Sequence, residues 1–202
     1  MFALVESGSI TRMLNGNRGI TVDGVQHPRT IFTLWTEAER NAIGIYTVEI
    51  DESKKKNEQW YVNTNITYSF DGSKVTGSYG DATAKAHADT LFTAQDETDG
   101  LGTEGDVKTE GLKTVLIRTI KKQAESELNK TDWYITRKSE KDTAIPGSIT
   151  THRDAVRAKQ AEMETAITNA SDTPALETLY TYTEQEDGSV TRPLGELPTL
   201  ED

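Results

Sequence analysis

Apolar residues change their spacing once along this chain, and that change limits the fold more than any single motif. Leu112, Val115, Leu116, Ile120, Ala124 and Leu128 recur at intervals of three and four, which aligns them on one stripe of an α-helix of about five turns. Ser148 opens a second stretch of the same kind, on which Ile149, Val156, Met163 and Ile167 share a face. Between the two, Thr131-Asp132 can cap a helix over 133–140, and Ile145-Pro146-Gly147 separates it from the stretch that Ser148 opens. Asp172-Thr173-Pro174 combines an N-cap residue with proline in the first turn, which predicts a fourth, short helix over 175–180.

The first eighty residues carry a different pattern, short β-type runs separated by turn residues. Phe2-Ala3-Leu4-Val5-Glu6 and Ile10-Thr11-Arg12-Met13-Leu14 flank Ser7-Gly8-Ser9, the pattern of a hairpin. Gly19-Ile20-Thr21-Val22 and Val25-Gln26-His27 flank Asp23-Gly24, which supplies positive φ to a two-residue turn. Thr36-Glu37-Ala38-Glu39 is a capping box for one short helix, and Gly44 can close it in the left-handed conformation. Residues 45–50 return to strand, and 60–70 alternates across Asp71-Gly72 into 74–79 as a further hairpin.

From 80 to 111 the residues are mainly Asp, Thr, Ala, Gly and Glu, with Leu91, Phe92 and Leu101 nearly alone as large apolar side chains. That area is too small to offset a backbone ordering cost of about 1 to 2 kcal/mol per residue. The pattern therefore predicts an α+β chain. A small N-terminal antiparallel β module with one short helix occupies 1–80. A flexible acidic linker or extension follows over 81–111, with the domain boundary near Gly105 and room for a short helix over 82–91. A C-terminal helical hairpin or bundle fills 112–202 and ends in a β-hairpin around Asp187-Gly188 and an acidic tail over 193–202.

Composition narrows the function. Twenty-two Lys and Arg stand against 33 Asp and Glu among 202 residues, a net charge of −11. A surface of that sign repels phosphate backbones and anionic membranes, so neither nucleic acid nor membrane is expected as a partner. With no cysteine, disulfides, thiolate nucleophiles and thiolate metal sites are excluded. The start lacks the basic lead and apolar core of a signal peptide, and no later run is long and apolar enough to span a bilayer, so a cytoplasmic location is expected.

Active-site patterns are missing from the sequence. His27, His87 and His152 are scattered, which predicts exposed or capping roles and no metal site. Asp96-Glu97-Thr98-Asp99-Gly100 has glycine where a calcium loop needs a ligand, and reads as a solvated acidic loop. Gly100-Leu101-Gly102 with Gly105 fails the dinucleotide fingerprint, and no Gly-x-Ser-x-Gly elbow occurs. The expectation is a protein that is not an enzyme and has no catalytic residue, cofactor or metal.

Two pairs with arginine remain. Trp133 and Arg137 stand one helical turn apart, a spacing at which an indole and a guanidinium stack. On the residues alone, Trp133 is a core tryptophan with Arg137 covering its edge, and a partner-binding hot spot is the alternative. Arg153 and Arg157 repeat the spacing on the next helix, with Asp132, Glu140 and Asp154 as candidate ion-pair partners.

Taken together, Leu128, Thr131-Asp132-Trp133, Arg137, Ile145-Pro146, His152-Arg153 and Ala155-Val156-Arg157 resemble the helical module of bacteriophage tail assembly chaperones and tail-fibre assembly proteins. The likeness covers residues 112–167. His152 stands where that family has tyrosine or tryptophan before the arginine, and the connecting segment 139–144 replaces a short polar turn. The chain as a whole also looks like small accessory tail proteins of marine phages. The resemblance implies a viral tail or tail-fibre assembly factor acting by protein binding in the host bacterial cytoplasm. Its partner would be a tail-fibre or other tail protein, with a second copy of the chain as a further partner. The rival implication is a structural component retained in the virion tail, an adaptor or fibre-associated subunit. Trp133, Arg137, Arg153 and Arg157 are the partner-binding candidates under either.

Overall fold

A computed structural model describes residues 1–200 and divides the chain into two compact units, Met1–Thr83 and Ala84–Asp202. The first is β-rich and the second helical, so the protein is of mixed α+β class.

The first unit runs β1 (Phe2–Glu6), β2 (Ser9–Leu14), β3 (Ile20–Val22), β4 (Val25–His27), α1 (Ile31–Leu34), α2 (Glu37–Asn41), β5 (Ile45–Asp51), β6 (Tyr61–Val62), β7 (Thr67–Phe70) and β8 (Val75–Ser78). A two-residue strand, β9 (Thr83–Ala84), lies at the division between the units. Five strands form one sheet in the order β2-β1-β5-β8-β7. The β1–β2 hairpin of this sheet and the separate two-stranded hairpin of β3 and β4 follow the turn chemistry: Ser7 and Gly8 have φ of 51° and 76°, Asp23 and Gly24 of 48° and 78°, the left-handed pair that a two-residue turn requires.

One pairing departs from the antiparallel expectation. β5 and β8 run parallel, with Val48 opposite Val75 and Asp51 opposite Ser78. β7 enters the edge of the sheet, and the hairpin at Asp71-Gly72 returns β8 alongside β5 in the same direction. The expected long alternating run from residue 60 is also interrupted. The Asn63 side chain accepts from the Lys56 N–H and donates to the Lys56 carbonyl, closing a loop where a strand would continue.

Because successive side chains of a strand point to opposite faces, Ala3 and Leu4 in β1 serve two cores. Leu4 packs with Ile20, Val22, Ile31, Phe32 and Ile45, whereas Ala3 packs with Val48 and Val75. The helix α1, not anticipated from the sequence, supplies Ile31 and Phe32 to the first of these. The capping box of α2 forms as expected: Thr36 Oγ1 accepts from the Glu39 N–H at 3.3 Å, and Glu39 Oε2 accepts from the Thr36 N–H at 2.7 Å. Gly44, at φ 77°, accepts through its carbonyl from the Val5 N–H, and a Cβ there would sit 2.6 Å from the Val5 carbonyl oxygen. Only glycine fits that approach.

The second unit contains β10 (Thr90–Leu91), α3 (Ala94–Thr98), β11 (Val107–Thr109), α4 (Leu112–Asn129), α5 (Asp132–Lys141), α6 (Gly147–Asn169), α7 (Thr173–Tyr180), β12 (Thr183–Glu184) and β13 (Val190–Thr191). α4 and α6 pack on each other along their predicted stripes. Leu116, Ile120 and Ala124 are buried on one, and Ile149, Val156, Met163 and Ile167 on the other. Val115 departs from its stripe and remains exposed. α7 begins as expected, with Asp172 accepting from the Ala175 N–H and Pro174 in the first turn.

The stretch expected to be a linker is tied into this unit by polar contacts in place of apolar area. Asp89 accepts from the Gly111 N–H at 2.7 Å and from Thr114 Oγ1 at 2.8 Å. The N–H groups of Leu112 and Lys113 donate to the carbonyls of Ala86 and His87, and Thr173 Oγ1 donates to the Lys85 carbonyl. The division between the units therefore falls at 83/84 and not near Gly105. No helix forms over 82–91. The short helix of this region is α3, where Thr93 and Asp96 build a capping box. The C-terminal segment is likewise more than a solvated tail, since Leu194 is buried and its N–H donates to the Leu179 carbonyl.

Candidate functional site

The link between α4 and α5 is fixed by one buried arginine. Thr131, fully buried, donates through both its N–H and Oγ1 to the Leu128 carbonyl, at 3.0 and 2.9 Å. From α6, Nη1 of Arg153 reaches the same point, 2.8 Å from the Leu128 carbonyl oxygen, 2.7 Å from Thr131 Oγ1 and 2.8 Å from Asp132 Oδ1. The C-terminal carbonyls of α4 attract a cation, and Asp132 sits favourably in the first turn of α5. A hydrogen bond to a charged donor is stronger than one between neutral groups, so three acceptors on one nitrogen lock the corner.

That corner matters because α5 buries none of its ten residues. An isolated helix of that length is marginal in water. Its Trp133, Tyr134 and Ile135 are consecutive, so they spread around the helix and form no stripe for a core. Trp133 is 52% exposed and Ile135 43%. The expectation that Trp133 is a core residue is corrected by this exposure, and the physical reason is the spacing: α4 and α6 already close their interface, while α5 offers no three-and-four repeat to join it.

The predicted stack of Trp133 and Arg137 does form. The Arg137 guanidinium carbon lies 4.7 Å from the Trp133 ring centroid and 5.2 Å from that of Tyr134, and the two rings are 3.8 Å apart. Nε of Arg137 is shielded from solvent and has no hydrogen-bond partner among the described residues. Arg192 makes a useful contrast within the same unit. It also stacks on two rings, Tyr180 and Tyr182, but donates to Glu196 at 2.8 Å and to the Gly195 carbonyl at 3.1 Å.

The four nominated residues thus separate. Trp133 and Arg137 share the outer surface of α5. Arg153 is buried in the corner and supports that helix from beneath, paired with Asp132 as one of the anticipated partners. Arg157 is exposed, pairs with Asp154 at 3.3 Å, and lines a groove of about 720 Å³ along α6 with Leu128, Gln160, Ala161 and Glu164. Sequence reasoning missed Tyr134, whose place three residues before Arg137 is the signal that would have included it.

Other sequence expectations resolve locally. His152 is buried on α6, not exposed or capping, and its Nε2 lacks a partner among the described residues. His27 meets the Trp35 ring edge-on at 5.5 Å. Asp96, expected in an acidic loop, belongs to α3. Lys108 Nζ at 2.6 Å, with the N–H and hydroxyl of Thr93, lowers its carboxyl to about 2. Among the described residues no group of three or more His, Asp or Glu is placed to hold a metal ion, and no helix is long and apolar enough to cross a membrane.

The fold and this surface define a class: a two-unit α+β protein with an exposed aromatic–guanidinium stack on a helix that has no buried face. Comparison of the chain with protein-family models, curated proteins and solved structures gives no match.

Proposed function

We propose that this protein is a bacteriophage tail or tail-fibre assembly factor that works by binding another tail protein through the outer face of α5. The observation that carries the reading is the half-exposed Trp133, stacked on Tyr134 and covered by the Arg137 guanidinium. Tryptophan, tyrosine and arginine are the residues most enriched at binding hot spots. A rigid stack also loses little side-chain entropy when a partner covers it. The motif that places these residues is the one that resembles tail assembly chaperones, and the Arg153 corner explains how the helix is presented without a core of its own.

The test is capture of the tail-fibre protein encoded by the same phage, with purified chain, Trp133→Ala and Arg137→Ala. Each substitution is expected to weaken binding by about 2 kcal/mol, roughly thirtyfold. Undiminished capture by the double variant removes α5 as the contact. Mass spectrometry of purified virions is expected to lack the chain, and its stoichiometric presence would instead make it a structural tail component.

A further inference from the structure

Most arginines of this acidic protein are engaged. Six of the nine meet a carboxylate, a backbone carbonyl or an aromatic ring. The side chains of Arg12, Arg18 and Arg29 meet none of these among the described residues. Arg12 and Arg18 line the same cleft of about 370 Å³ in the β-rich unit, and no carboxylate lines it with them. Glu6, which lines the adjoining cleft with Arg12, accepts from Thr11 Oγ1 and forms no ion pair with that arginine.

We propose that this cleft is a binding site for a small organic carboxylate with an apolar body. Two guanidiniums without a partner among the described residues, at a cleft lined by no carboxylate, provide planar forks that match a carboxylate. The same cleft is lined by Ile20 and Phe32, which are buried, and by the half-buried Leu14, apolar side chains that suit a hydrocarbon or aromatic body better than a bare inorganic anion. The volume falls at the lower end of small-molecule sites.

The loop between β2 and β3 holds the cleft in shape before any ligand arrives. Gly16 has φ 71°, and a Cβ there would lie 3.1 Å from the Phe2 ring and 3.3 Å from Phe32. A Cβ on Gly19 would stand 2.6 Å from the His27 carbonyl oxygen. The Asn17 N–H donates to Asn15 Oδ1 at 3.3 Å, closing the turn between them. Both glycines are thus required where the loop folds against its own unit, and a site built in advance binds with less ordering cost. Charge distribution favours an anion here as well. Residues 1–83 hold 8 Lys and Arg against 10 Asp and Glu, whereas residues 84–202 hold 14 against 23, so most of the acidic excess belongs to the other unit.

Titration of the full chain with benzoate, followed by backbone amide NMR, tests this site. Saturable shifts at Gly16, Asn17 and Gly19 are expected, with affinity weakened about tenfold or more in Arg12→Gln and in Arg18→Gln. Arg29→Gln, which removes an arginine that lies outside the cleft and is unengaged among the described residues, is expected to bind as the parent does. Inorganic phosphate is expected to bind the same amides more weakly. Diffuse unsaturable shifts, equal weakening by Arg29→Gln, or full affinity in the Arg12→Gln/Arg18→Gln protein with an otherwise unchanged spectrum would overturn the site. Phosphate binding as tightly as benzoate would overturn the assignment of an apolar carboxylate.

Discussion

Two helices of the second unit each carry a pair of nominated residues four apart, and they are held in opposite ways. α6 buries six residues, among them His152 and Arg153, and forms half of the helical core. α5 buries none and takes its position from a hydrogen-bonded corner. Residues i and i+4 share a helical face in both, but only α6 repeats apolar side chains along that face. Four-residue spacing therefore brings Trp133 and Arg137 into contact on α5 but leaves Arg153 buried and Arg157 exposed on α6, so the pattern of the whole helix, and not the spacing of a pair, says which side chain lies in a core and which at a surface.

The largest effect that sharpens this contrast is expected from Ile167→Ala. Ile167 is fully buried against the helical core, and its truncation should cost about 4 kcal/mol by lost transfer energy and a residual cavity. Chemical denaturation measures it, and a loss under about 1 kcal/mol would mean that α6 is not the anchor of the unit.

Arg153→Met comes next. It keeps much of the buried stem but leaves the Leu128 carbonyl and Thr131 hydroxyl without their charged donor. A loss of about 2 kcal/mol is expected. Hydrogen exchange should rise first in α5, before the core of α4 and α6 opens. Equal exchange in both helices would show that α5 does not depend on the corner.

Trp133→Ala breaks the comparison from the other side. An exposed cation–π stack contributes about 0.5 to 1 kcal/mol, so thermal melting should change by no more than a few degrees while affinity for the proposed partner falls roughly thirtyfold. A loss of several kcal/mol would restore Trp133 to the core.

The smallest effect concerns acid. Asp96 in the second unit and Asp71 in the first both have carboxyls lowered to about 2. Lys108 is the main cause for Asp96, and the N–H groups of Lys74 and Ser73 are the main causes for Asp71. A depressed carboxyl contributes stability above its unfolded value near 3.8, and that contribution fades as pH falls toward 2. Melting curves of Asp96→Asn and Asp71→Asn should therefore approach those of the parent as pH drops from about 4 to 2, while lying below them near neutrality. A gap that stays constant across that range would show that the ionised carboxylates are not responsible.

Local chemistry determined the turns at Ser7-Gly8 and Asp23-Gly24, the caps at Thr36 and Asp172, and the stripes of α4 and α6. Each depends on residues close in sequence, whose preferred dihedrals or helical faces require no distant partner. The stack of Trp133 and Arg137 belongs to the same group, because one helical turn suffices to bring the two together. Tertiary structure alone decided the parallel pairing of β5 with β8, the attachment of residues 84–111 through Asp89 and Lys85, and the anchoring of α5 through Arg153. In each of these the deciding contact joins residues far apart in the chain: Val48 with Val75, Asp89 with Gly111, Arg153 with Thr131. Sequence spacing describes which side of an element is apolar, but which element covers it depends on the contacts formed when the whole chain closes.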